Sequence, residues 1–214
     1  MYIPDHFEEQ RVDVLQDLMR LHPLASFVAT AKGELAVSHI PLVLQLRGQF
    51  GMLVGHVARA NPIWQQLGAV NAVAIFQGPQ SYISPSWYPS KHGNGKAVPT
   101  WNYVEVHAHG RPRAVHDREW LLAQVSQMTA QHEAKQALPW KVSDAPAEFT
   151  ERLLAAIVGI EMPIEVLRGS WKVSQNRPLA DRLGVAAGLE SREGSQARAM
   201  AQLVMQRAGT NSRE

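Results

Sequence analysis

The chain opens with apolar positions spaced for a helix and then changes to the two-residue alternation of strands. Val12, Leu15, Leu18 and Met19 fall on one helical face, Asp5 or His6 offers a cap, and Pro23 ends the segment. Ser26 to Ala31 reads as a strand, with Lys32-Gly33 as its turn. Leu35 to Leu46 reads as one longer strand. Ala36, Ser38, Ile40, Leu42, Leu44 and Leu46 form its mostly apolar face, and Val37, His39, Pro41, Val43 and Gln45 a mixed face. Arg47-Gly48 turns the chain into Phe50 to Ala58. Asn61 and Pro62 then predict the cap and first position of a short helix reaching Leu67.

Val70 to Phe76 is apolar on both faces, the pattern of a central strand. An aromatic, turn-rich stretch from Ser81 to Tyr103 follows and reads as a loop. Val104, Val106 and Ala108 alternate with Glu105, His107 and His109, giving a strand with one wet face. Asp117 caps a helix running to about Lys135, and a second helix follows Pro146. Val158, Ile160, Met162, Ile164 and Val166 share one face of a strand ending at Leu167. From Arg177 the pattern is helical, with breaks expected near Gly184, Gly188 and Gly194. About six strands, mostly consecutive and joined by short turns, predict a mainly β fold decorated by helices, an antiparallel barrel or sandwich.

Composition narrows the function classes. The chain has 214 residues, of which 45% are apolar, enough for a folded core. A net charge of +2 lacks the strong basic bias of a nucleic-acid binder. The absence of Cys removes disulfides, thiolate nucleophiles and Cys-type zinc sites. The N-terminal MYIPDHFEEQ lacks a charged start followed by an apolar run, and no apolar stretch reaches membrane-spanning length. A soluble cytoplasmic protein without a membrane partner is the expectation.

No G-x-G-x-x-G or Walker A spacing is present, so phosphate binding would need another device. Gly93-Asn94-Gly95-Lys96 is either a simple turn or a loop presenting backbone N–H groups and a cation. His39 and His56, expected on adjacent strands beside Arg59, either bind an anion or ring carbonyl or are hydrogen-bonded histidines at a barrel rim. His107 and His109 share one strand face, a solvated face in preference to a metal site, and no third metal ligand is placed. Thr100-Trp101-Asn102 suits the edge and face of a planar ligand, or a core or dimer interface. Trp171 through Arg177 supplies donors that reach a ligand or cap the helix beginning at Pro178. Leu179-Ala180 to Leu183-Gly184-Val185 resembles a helix-turn-helix entry, but Gly188 would interrupt the recognition helix.

Several segments together resemble the PaiB family of FMN-binding negative transcriptional regulators. They are Met1-Tyr2-Ile3-Pro4, Ser38-His39-Ile40-Pro41-Leu42, Gly55-His56-Val57-Ala58-Arg59-Ala60-Asn61-Pro62, Tyr82 to Tyr88, Val98 to Tyr103, and Lys172-Val173-Ser174-Gln175-Asn176. The resemblance implies a six-stranded antiparallel split barrel, homodimeric, with FMN in a cleft between protomers. It implies a barrel domain over 1–176 and a helical extension over 177–214, packed on the barrel or on the partner. FMN contacts are then expected from Ser38, His39, Ile40, Pro41, His56, Val57, Arg59 and Asn61. Lys96, Thr100, Trp101, Asn102, Lys172, Gln175 and Asn176 complete the expected set. The Arg, Lys and Ser-Arg-Lys phosphate clamp of related oxidases falls near His39, Leu44 and Ala60-Asn61-Pro62, so His39, His56, Arg59 and Lys96 are its expected replacements. Three other functions stay open at this point: an FMN-dependent oxidoreductase or flavin reductase, a haem-binding split barrel, and a regulator that binds DNA directly through its C-terminal helices.

Overall fold

The computed structural model describes residues 1–31, 33–68 and 70–210; Lys32 of the expected turn and residues 211–214 of the expected extension lie outside them. After a 3-10 turn over Asp5–Phe7 the elements are β1 (Glu8–Glu9), α1 (Val12–Leu21), β2 (Leu24–Ala31), β3 (Glu34–Pro41), β4 (Val43–Gln45) and β5 (Met52–Ala58). Next come β6 (Ala72–Ile83), α2 (Lys91–Asn94), β7 (Thr100–Gly110), β8 (Arg113–Val115), α3 (Arg118–Glu133) and α4 (Ala147–Ala155). The chain ends with β9 (Ile157–Pro163), β10 (Val166–Lys172), α5 (Leu179–Glu190) and α6 (Ser195–Thr210). The strands form a six-stranded sheet in the order β1-β10-β7-β6-β2-β3 and a four-stranded sheet in the order β4-β5-β9-β8.

By contacts the chain divides into two compact units. The first gathers Met1–Leu18, Gln77–Val106 and the chain from Arg168 onward; the second gathers Met19–Phe76 and His107–Leu167. In the second unit, β2 pairs with β3 and with β6, setting Phe27 opposite Ser38 and Ala74, and Ala29 opposite Ala36 and Ala72. That face is core: Phe27, Ala29, Ala72, Ala74 and Ile40 are buried. The four-stranded sheet adds Leu53, Val54, Val158, Ile160 and Met162.

The stretch expected as one strand from Leu35 to Leu46 is two strands in different sheets. Leu42 and Val43 are both buried, so the inward parity reverses there, which no continuous strand permits. The Leu42 N–H still follows the β2–β3 register, donating to Pro23 O at 2.8 Å, and the next residue, Val43, pairs with Val54 in the other sheet. The stretch to Leu167 likewise splits at Ile164-Glu165, whose N–H groups donate to Gly51 O and His109 O. The aromatic stretch is only partly loop. β6 carries through Gly78-Pro79 to Ile83, because a side chain at Gly78 would press on Leu18 and Val104, whereas glycine lets them close over the strand.

In the first unit α5 runs unbroken through Gly184 and Gly188, against the breaks expected there. Residues 191–194 separate it from α6, ending in Gly194 at a φ of 110°. The stretch resembling a helix-turn-helix entry therefore lies inside one helix. A Cβ at Gly184 would meet the Trp87 main-chain oxygen, and one at Gly188 would meet the Trp87 indole. These glycines make room for an aromatic side chain. Arg192 closes over the same group, 4.8 Å from the Trp87 ring and 5.8 Å from Tyr82.

Glu9 is 4% exposed and is held by Arg11 and by Arg207 of α6. Burial raises its carboxyl, but the Arg11 hydrogen bonds and the Arg207 charge outweigh burial, and the net shift is downward. A lowered carboxyl stabilises the fold above the unfolded value of about 4.3 and loses that contribution as pH falls through its folded value. Glu9→Gln is expected to cost about 1–2 kcal/mol at neutral pH by removing the carboxylate that Arg11 and Arg207 hold. It should also flatten the acid limb of a stability-versus-pH series. An unaltered acid limb would exclude Glu9 as its source.

Candidate functional site

The expected site residues fall into two groups, one in each compact unit. In the second unit Ser38, His39, Ile40 and Pro41 close β3. Their alternation sends Ile40 into the core and leaves His39 exposed. Asn61 caps the 3-10 turn Pro62–Gln66 by accepting from Ile63 N, and its Nδ2 donates to Ser38 Oγ at 3.0 Å. The cap is thus tied to the end of β3.

His39 and His56 do not share a hairpin. β3 pairs with β2, placing His39 opposite Ser26, while β5 pairs with β4 and β9, placing His56 opposite Gly159. The His56 Nδ1 faces Gln124 Oε1 at 2.8 Å, an arrangement in which Nδ1 carries the proton. Val57 beside it is core. Arg59 donates from Nε to Ala155 O and from Nη2 to Ile157 O, both at 2.8 Å, and Nη1 lies 3.5 Å from His116 Nδ1. Its fork is spent on main-chain carbonyls, so it does not present the two parallel donors of a phosphate clamp.

The outer face of the β2–β3–β6 sheet is the more telling surface. Register sets Val28 beside Val37 and Val73, Thr30 beside Leu35, and Ser26 beside His39 and Ile75. None of these is buried; Leu35 is 77% and Val37 59% exposed. Antiparallel sheets normally turn a polar face to water. Here the uncovered face is mostly aliphatic, with Ser26, Thr30 and His39 as its polar members. Such a face suits a flat ring system and a second protein surface.

The first unit gathers Thr100, Asn102, Lys172 and Asn176 around a cavity of about 120 Å³. Lys172 Nζ donates to Thr100 Oγ1 at 2.8 Å. Burial holds the Lys172 amine below the ordinary lysine value. Asn102 Nδ2 donates to Ser174 Oγ at 2.9 Å, while its buried Oδ1 has no partner among the described residues. Ser174 has a φ of 64°, a left-handed backbone that serine rarely adopts.

Gln175 serves the backbone: its Oε1 accepts from Val173 N and its Nε2 donates to His6 O and Trp171 O. Trp101 points outward, 55% exposed, edge-on to Tyr82 at 6.1 Å. Lys96 follows Gly95, whose φ of 67° ends α2, and is not among the residues lining the cavity. Arg177, the end of the donor run read from the sequence, and Tyr88 of the aromatic stretch lie outside the expected FMN set. Arg177 lies 4.9 Å over the buried Tyr88 ring, and both line the cavity. Burial raises the Tyr88 phenol, with the Arg177 charge acting the other way. The guanidinium meets the ring face, and the phenol oxygen has no hydrogen bond of ordinary geometry.

Residues 1–166 match a family model described as "Putative FMN-binding domain". The chain belongs to this family of FMN-binding domains. FMN is the cofactor that membership assigns. The PaiB resemblance stands with it. The chain is 30% identical to "Protease synthase and sporulation protein PAI 2" of Bacillus subtilis (strain 168) over 205 residues, covering 95% of this chain and 96% of that one. It is 32% identical over 244 residues to an uncharacterized protein of Emericella nidulans, covering 97% of each.

Among solved structures, the FAD and heme binding protein from Mycobacterium smegmatis superposes with a TM-score of 0.58 at 15% identity, covering 77% of this chain and 73% of that one. A conserved hypothetical protein from Mycobacterium tuberculosis gives the same TM-score of 0.58 at 8% identity, covering 83% and 94%. These likenesses show the fold: the antiparallel split barrel with helices expected from the sequence. No helix among the described residues is long and apolar enough to cross a membrane.

The residues fit FMN unevenly. The uncovered aliphatic face that carries His39 suits the isoalloxazine, whereas Arg59 is committed elsewhere.

Proposed function

We propose that this chain is a PaiB-type negative transcriptional regulator, acting in the cytoplasm as a homodimer that carries FMN. The observation behind this reading is the uncovered aliphatic face of β2, β3 and β6, with Leu35 and Val37 at its edge. A soluble monomer rarely leaves such a face bare. A second copy supplies a cover, and the flavin shares the surface. His39 and Pro41, which share the parity of that face, are the residues assigned to the flavin's edge. When bound, FMN supplies redox chemistry; the protein supplies the apolar support and keeps water from the ring.

Purified protein should retain flavin absorption near ~370 and ~450 nm after desalting. Light scattering should give twice the 23.7 kDa chain mass. A flavin-free monomer under saturating FMN would overturn both the cofactor placement and the dimer. Deleting the gene should raise a defined set of transcripts, and an unchanged transcript profile would remove the regulatory role.

A further inference from the structure

The cavity in the first unit is partly open to solvent, and half-buried Lys172 lines it at the end of β10. Its amine is fixed from three sides. Nζ donates one N–H to Thr100 Oγ1 at 2.8 Å, and the Tyr103 and Phe7 ring centroids stand 5.8 and 6.0 Å away. Those ring distances lie at the outer limit of a cation–π contact, so the rings shield the nitrogen from water and do little to hold its charge. Among the described residues no carboxylate lines the cavity. The acids on the neighbouring elements are occupied: Glu8 of β1 accepts from Gln10, Glu9 from Arg11 and Arg207, and Asp181 of α5 from Ser90. Glu105, beyond Tyr103 on β7, is outside the lining, and the other charged group in it is the Arg177 guanidinium. A surface lysine keeps its proton through water or a carboxylate. Lys172 is short of both, and burial holds its amine below the ordinary lysine value. Neutral, it still donates to Thr100, and its lone pair lies outside that bond.

We propose that Lys172 is a nucleophilic amine that captures a short aliphatic aldehyde in this cavity as a reversible imine. The nitrogen lone pair adds to the carbonyl carbon and gives a carbinolamine. The carbonyl oxygen then leaves as water with the two amine hydrogens, and a C=N bond replaces the C=O bond. Neutral amine and aldehyde give neutral imine and water, and nothing is oxidised or reduced. Thr100 is the positioning residue. Its oxygen holds the amine before the reaction, and its O–H donates to the imine nitrogen once the N–H groups are gone. The aldehyde class follows from size and lining. A cavity of about 150 Å³ takes benzene, so one of about 120 Å³ takes about five non-hydrogen atoms. Phe7, Val98 and Pro99 form an apolar wall for an alkyl tail.

Propanal with cyanoborohydride, applied to the intact protein and followed by peptide mapping, tests this, because reduction fixes the imine as propyl-lysine. At neutral pH Lys172 should be alkylated at least about tenfold faster than the exposed Lys91, Lys135 and Lys141. Its rate should saturate with propanal while theirs stay linear. Since burial lowers the Lys172 amine, its labelling should level off at a lower pH than theirs. Thr100→Val should slow the labelling of Lys172 severalfold and leave the three surface lysines unchanged. Lys172→Arg should leave surface labelling alone. If a variant fails to fold, the rate ratio and the pH profile of the wild-type chain decide. A lysine that is merely half-buried would react more slowly than the exposed ones. Labelling of Lys172 at or below the surface rate, or a rate linear in propanal, would therefore overturn the proposal. Loss of labelling under saturating FMN would also overturn it, by assigning the amine to the flavin. Labelling unchanged by FMN supports it, and the same result on flavin-free protein keeps it separate from any failure of the FMN reading.

Discussion

A chain carrying Leu35→Asp and Val37→Asp is expected to run as a monomer and to release its flavin on desalting. Both side chains lie on the uncovered face of the β2–β3–β6 sheet, and neither helps to fill the core behind it. Each substitution removes about 1.5–3 kcal/mol of apolar burial from an interface and adds a charge that must be desolvated there. Together they weaken self-association by several orders of magnitude. The chain itself should melt at nearly the wild-type temperature, because exposed positions rarely shift stability by more than about 0.5 kcal/mol. That contrast is diagnostic. Retained dimer would show that the face is covered by something else, and a collapsed melting temperature would show that it belongs to the fold.

Gly188→Ala is expected to destabilise the protein although it sits in the middle of a helix. Helix propensity alone predicts a gain of about 1 kcal/mol. Packing opposes it. The added methyl would press on three indole atoms of Trp87, a rigid group wedged between α5 and Arg192. Overpacking typically costs about 1–3 kcal/mol, so a net loss near 1–2 kcal/mol is expected, and Gly188→Val should lose more. Gly209 is the control. It lies in α6 with nothing near its would-be Cβ, so Gly209→Ala should be neutral or stabilising. Thermal melts of the three variants check this; equal gains at both glycines would refute the packing account.

The sequence was readable wherever one side chain or one period decides the structure. Asp117 caps α3 by accepting from Trp120 N, Asn61 caps its 3-10 turn, and α1 follows the spacing of Leu15, Leu18 and Met19. It misled where a distant partner decides. Nothing local says that Leu42 and Val43 both face inward as the chain changes sheet. Nothing local says that Gly184 and Gly188 serve Trp87, nearly a hundred positions earlier, and not a turn. The flavin family was legible from its aromatic and histidine-bearing segments, but the roles of their side chains were not. Arg59 had the composition of an anion ligand and spends its donors on Ala155 and Ile157. Asn102, read as the edge of a planar ligand, is buried and donates to Ser174 Oγ.

The interleaving of the two compact units has a consequence for synthesis. A ribosome delivers Met19–Phe76 and His107–Leu167 before any residue beyond Arg168 exists. The four-stranded sheet can therefore close on a nascent chain, while the opening segment, β1 included, waits for β10 to be made. At about 5–20 residues per second that wait, over roughly 160 residues, lasts about 8–30 seconds. During it, the apolar sides of α1 and of the Trp87 region have no C-terminal cover, which makes this the interval when chaperones and proteases have most to grip. Premature termination between Leu167 and Lys172 would leave a fragment with one finished unit and one that never receives Lys172, Ser174 or Arg177.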